Sequence, residues 1–110
     1  RPLRDQGILI FGSGNVVHNL SRVDWSMSGK GFSWAEEFDR FIKDNILRRD
    51  DTQVVNYRKA GDSSKHAFLA MDHYAPLLYV LGASDPADSI TVFNEACDLG
   101  ALSMTSYLFQ

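Results

Sequence analysis

The side chains in this sequence best suited to chemistry are its three histidines, His18, His66 and His73, and its one cysteine, Cys97. Imidazole exchanges protons near neutrality and, when neutral, ligates metals. His18 follows an apolar run and a glycine turn, Gly12-Ser13-Gly14, which is where α/β domains place their ligands. His73 falls at an expected helix start. There the positive end of the helix dipole disfavours imidazolium and keeps the ring in its metal-binding form. His66 has no such context and reads as a packed, structural histidine. Two histidines fall short of the three protein ligands common in catalytic metal sites, so this chain alone does not assemble a complete one. Cys97 has no partner for a disulfide or a thiolate zinc site, which fits a reducing, cytoplasmic setting.

Two other chemistries compete. Gly12-Ser13-Gly14 after an expected strand invites a phosphate loop. The third glycine of a G-x-G-x-x-G fingerprint would fall at Val17, however, and no Walker lysine follows, so a plain tight turn is the better reading. A serine hydrolase would pair Ser13 or Ser103 with His18 or His73, but the nucleophile elbow G-x-S-x-G is absent. Composition narrows the partners. A net charge of −3 supplies no electrostatic footprint for nucleic acid. The longest largely apolar runs, Ile8 to Phe11 and Tyr74 to Leu81, are far below the ~20 residues of a bilayer span, so no membrane partner is expected. The sequence opens at Arg1 without a methionine or a signal-peptide pattern and soon enters an apolar run, so an upstream portion is expected to be missing.

These residues need elements to hold them. Ile8 to Phe11 is continuously apolar and bounded by glycines, as in a strand covered on both faces. Ser33 to about Arg49 reads as an amphipathic helix. Ser33 and Glu36 form a capping box, Trp34, Phe38, Phe41, Ile42 and Ile46 an apolar stripe, and the charged residues, Asp39 among them, a solvated face. Asp51 to Ala60 reads as a shorter helix, and Gly61 to Lys65 as a polar loop. Asp72 is expected to cap a helix that has Pro76 in its first turn and stops at Gly82. Ser89 to Phe93 and Leu102 to Phe109 read as closing strands around a turn near Asp98-Leu99-Gly100. The order implies one layered α/β/α domain with a mixed sheet.

Three segments together resemble a known family. They are Gly7 to Leu20 (GILIFGSGNVVHNL), Asp72 to Gly82 (DHYAPLLYVLG) and Gly100 to Tyr107 (GALSMTSY). Their order and spacing are similar to the C-terminal part of the LigB-type (class III) extradiol ring-cleavage dioxygenases, in particular the 4,5-DOPA dioxygenase extradiol branch. The resemblance implies that residues 1–110 are the C-terminal portion of a single catalytic domain, with an incomplete α/β/α fold. It implies a non-haem iron(II) enzyme that opens catechol rings with dioxygen, zinc being held by some bacterial relatives as isolated. His73 matches the ligand that family draws from its C-terminal half. His18 matches its acid/base residue, which lies beside the metal, and so counts as a candidate further ligand. Asn15 and Asn19 are weaker candidates for orienting substrate, and Tyr74 and Pro76 fix the helix start. Two further histidine ligands are expected upstream, so the chain alone is expected to be inactive. Ala70-Met71-Asp72 departs from the Thr-Pro-Glu type tripeptide that members often have before the ligand histidine. The alternative is a non-catalytic binding module of the same fold.

Overall fold

The computed structural model describes residues 2–110. Its longest element is the helix that the apolar stripe predicts, here called α2 (Ser33–Leu47) after a short α1 (Pro2–Asp5). Ala35, Phe38, Ile42 and Ile46 fall on one buried face at helical spacing. The start differs from expectation. Phe32, not Ser33, is the cap, and its carbonyl accepts from the amides of Ala35 and Glu36 while no side chain caps the helix. Phe32 holds this position because its own amide donates to Gly100 O at 2.9 Å and its ring lies over Gly100. A Cβ on Gly100 would stand 2.4 Å from that ring, at a backbone φ of +75° that already favours glycine. At the other end Arg49 takes φ 56°, and Arg49 and Asp50 donate back to Ile46 and Asn45, closing the last turn in a Schellman motif without glycine.

Then come α3 (Asp51–Val55), a 3₁₀ turn at Tyr57–Ala60, and α4 (Ser63–His66), where a polar loop was expected. Ser63 and Ser64 are buried instead of facing water, and the Ser64 hydroxyl closes the turn by donating to Gly61 O. A second 3₁₀ turn, Met71–His73, leads into α5 (Ala75–Ala83). Tyr74 is the cap and Pro76 lies in the first turn, as expected, but the Asp72 side chain caps nothing. The helix also runs through Gly82, ending where the Ser84 amide and hydroxyl both return to Leu81 O.

The class is α/β, with less sheet than the sequence promised. β1 (Ile90–Phe93) pairs antiparallel with β4 (Ser106–Phe109), and β2 (Cys97–Asp98) with β3 (Leu102–Ser103). Mixed pairing survives only as single bridges, His18 lying parallel to Phe68 and antiparallel to Leu102. Ile8 to Phe11 forms no strand. A strand requires a hydrogen-bonded neighbour, and among the described residues none pairs with this run; Leu9 and Phe11 are 78% and 82% exposed.

The core joins Val16 and Val17 to α2, Val54, Ala67, Tyr74 and Leu81. At its centre the rings of Phe38, Tyr57, Phe68 and Tyr74 contact one another, Phe68 and Tyr74 stacking at 5.1 Å. The Tyr74 hydroxyl donates to Val54 O at 2.6 Å, satisfying a buried carbonyl of α3 and tying down the residue beside His73. Burial pushes the Tyr74 phenol well above its ordinary range.

Candidate functional site

The site forms where the glycine turn meets the entry to α5. Gly12 and Gly14 are there for close approach: a Cβ on Gly12 would sit 2.7 Å from Val80 Cγ2, and one on Gly14 2.2 Å from His73 O. The same approach lets the Asn15 amide donate to His73 O at 2.8 Å. Gly14→Ala should therefore push the turn off α5 and cost about 1–3 kcal/mol, the usual range for overpacking a tight contact. A denaturant midpoint unchanged by that substitution would contradict the contact.

His18 is fixed independently. Its amide donates to Ala67 O at 2.7 Å, and the neighbouring Val17 O and Asn19 N bond to Ser103 and Ala101. These two anchorages bring the imidazoles of His18 and His73 into a stack with centroids 3.6 Å apart and planes within 9° of parallel. His73 Nδ1 is buried and makes no hydrogen bond; Asp72 Oδ2 lies 3.4 Å away, near enough to act electrostatically but not aligned to accept. His66 lies apart, its ring against Trp34 at 5.7 Å, as a structural histidine would.

Beside the pair runs a groove of about 420 Å³ lined by Leu9, Phe11, Asn15, His73, Pro76 and Tyr107 among others. Asn15 reaches it with its Nδ2 already committed to Ser103 O at 2.7 Å. Asn19 does not line it. That side chain is buried, donating to His66 O and accepting from the Ser21 hydroxyl, which makes it part of the framework and not of a ligand surface. Ser103 is also unavailable as a nucleophile, because its buried hydroxyl donates to Asp39. Burial raises the Cys97 thiol to about 11, leaving it protonated and inert near neutrality.

Asp39 departs from the solvated face on which its charge would place it. It is buried on α2, accepting from Ser103 Oγ at Oδ1 and from Thr105 Oγ1 at Oδ2, 2.6 Å away. Desolvation raises its carboxyl above the usual range despite both hydroxyls. The spacing carries a signal for this: Asp39 stands four residues after Ala35 and three before Ile42, on the apolar stripe itself.

Among the described residues no group of three or more histidine, cysteine or carboxylate side chains is placed to hold a metal. His73 fits one position of a metal site, since its buried Nδ1 makes no hydrogen bond to the protein. The stack bears on His18. Imidazole lone pairs lie in the ring plane, and an ion about 2.1 Å from one nitrogen in its plane lies well beyond that distance from a parallel ring 3.6 Å away.

The chain is 40% identical to the 4,5-DOPA dioxygenase extradiol of Escherichia coli K12 across 94% of its own length. It is 32% identical to the protein of that name from Portulaca grandiflora across 98%. The chain belongs to the 4,5-DOPA dioxygenase extradiol family. It spans about two fifths of these relatives, 39% of the first and 40% of the second. A crystal structure described as the uncharacterized protein JW3007 of E. coli K12 superposes with a TM-score of 0.86 at 38% identity, over 96% of this chain and 44% of that one. No protein-family model matches the chain. Among the described residues no helix is long and apolar enough to cross a membrane.

Proposed function

We propose that this chain is the C-terminal portion of a cytoplasmic enzyme domain that opens the ring of a DOPA-like catechol with dioxygen and a non-haem metal, iron(II) or, as isolated, zinc. The observation that carries this reading is the His18–His73 stack, whose His73 lines a largely apolar groove, in a chain whose relatives bear a dioxygenase name. The metal, when bound, supplies the Lewis-acid and redox chemistry that joins dioxygen to the ring. His73 contributes one imidazole toward it, and two further histidines come from the upstream portion. His18, set against that ring in a parallel plane, suits the acid/base role better than that of a second ligand on the same ion. It takes a proton from a catechol hydroxyl as substrate enters and returns one as the ring opens. Asn15 keeps its side-chain oxygen free of protein partners and is suited to accept from the other hydroxyl.

The backbone from Leu9 to Gly14 supports an absent partner segment. None of its amides or carbonyls hydrogen-bonds within the described residues, while Leu9 and Phe11 stand exposed. The upstream portion of the same domain would cover it.

The test is to restore the upstream sequence, add iron(II) and assay aerobically with DOPA. A yellow ring-opened semialdehyde is expected from the restored protein and none from the 110 residues alone. No turnover of any catechol by the restored protein would overturn the reading. The incomplete ligand set favours one alternative, a non-catalytic binding module of this fold. That module would bind a catechol without consuming oxygen.

A further inference from the structure

We infer that Asp39 is a positioning residue for the His18–His73 pair, an inference that rests on the reading of that pair as the reacting site. A chain of hydrogen bonds leads from one to the other. Asp39 Oδ1 accepts from the Ser103 hydroxyl, Ser103 O accepts from Asn15 Nδ2 at 2.7 Å, and the Asn15 amide donates to His73 O at 2.8 Å. Beside it the Ser103 amide donates to Val17 O at 3.0 Å, directly before His18. Backbone bonds also hold residues 103 to 105, the Met104 amide donating to Ala96 O at 2.8 Å, but the hydrogen bonds that tie them to α2 are those of Asp39. Ser103 ends a two-residue strand, and Thr105 lies between strands, its hydroxyl given to the other oxygen of Asp39. The carboxylate thus pins this segment to α2, and the segment sets the distance between the two histidines.

The burial of a carboxylate here is poorly explained by stability. Desolvation opposes it, and an apolar side chain in its place is often neutral or stabilising. Its effect is on geometry: each oxygen accepts from one hydroxyl, and Ser103 Oγ in turn accepts from the Thr105 amide at 3.4 Å, which ties the 103–105 backbone to a side chain in the middle of a rigid helix. Asn at this position retains an acceptor and a donor, and the hydroxyls of Ser103 and Thr105 can rotate to suit it. Ala removes both anchors.

The test uses the 110-residue chain and, separately, the protein with its upstream portion restored. In the chain, stacking displaces the ring-proton resonances of His18 and His73 from those of an unstacked histidine. Asp39→Ala and the milder Ser103→Ala should lose most of that displacement. Asp39→Asn should keep it, and the His66 resonances should stay in place throughout. Asn45→Ala serves as the stability control. It removes another buried polar side chain of α2, bonded to Phe41 O and Arg48, and should keep the displacement even as the chain becomes less stable. In the restored protein, Asp39→Ala should lower kcat by about 10–100-fold with KM little changed, and Asp39→Asn should recover most of it. Displacement retained in both Asp39→Ala and Ser103→Ala, or lost as fully in Asn45→Ala, overturns the role. Ring shifts that follow the stated order in a protein that turns over no catechol would leave Asp39 positioning the pair and remove the dioxygenase reading instead.

Discussion

In the protein with its upstream portion restored, His73→Ala is expected to abolish both metal binding and turnover, whereas His18→Ala should keep a full complement of metal and lose turnover. The difference follows from the stack. Planes within 9° of parallel and centroids 3.6 Å apart do not direct two in-plane lone pairs at one ion, so under the proposed function the rings would divide the work. His73 has the buried nitrogen without a hydrogen bond. His18 is held by its backbone to Ala67 and stays in place when His73 is truncated. Loss of an acid/base group typically costs roughly 10²–10⁴-fold in rate. Loss of a metal ligand should exceed the ~10–100-fold typical of residues that merely support one. Metal content by elemental analysis, set beside kcat for each variant, separates the roles. Equal loss of metal in both variants would mean that His18 is a ligand and that the rings part when the ion binds.

Much of this site is legible in the amino-acid sequence. The motif around His18 and the His-Tyr-x-Pro run mark both histidines, because each lies where a local signal is strong: a glycine turn in one case, a proline-marked helix start in the other. α2 is legible for the same reason, since five apolar residues at helical spacing leave one face to bury. What escapes is long-range. Ser33-Trp34-Ala35-Glu36 looks like a capping box, yet Phe32 caps α2 because Gly100, distant in sequence, receives its amide and its ring. Asp39 reads as solvated because a carboxylate usually is; only contact with Ser103 and Thr105, more than sixty residues on, makes its burial tolerable. The run from Ile8 to Phe11 has a strand's composition, but composition does not supply the neighbour that a strand's amides and carbonyls need.

The largest loss of stability is expected from Phe38→Ala. Phe38 is fully buried and meets the rings of Tyr57, Phe68 and Tyr74. Truncation removes its burial and leaves a cavity that three rigid rings cannot close, which typically costs about 3–5 kcal/mol. A domain of this size has a total stability of about 5–15 kcal/mol, so the variant should be much weakened, with its urea midpoint lowered by roughly a fifth or more. Tyr74→Phe keeps the ring and strands only the carbonyl of Val54, so it should cost about 1–3 kcal/mol and rank below it. The order matters for the site, because two of these rings border the histidines: Phe68 is bridged to His18, and Tyr74 directly follows His73. A void under Phe68 and Tyr74 loosens both attachments at once, so the His18–His73 stack should weaken in Phe38→Ala at denaturant concentrations where the fold still persists. A loss under about 1 kcal/mol would mean that the four rings do not pack as a unit, and that the stack draws its rigidity from the backbone anchors of His18 and Asn15 alone.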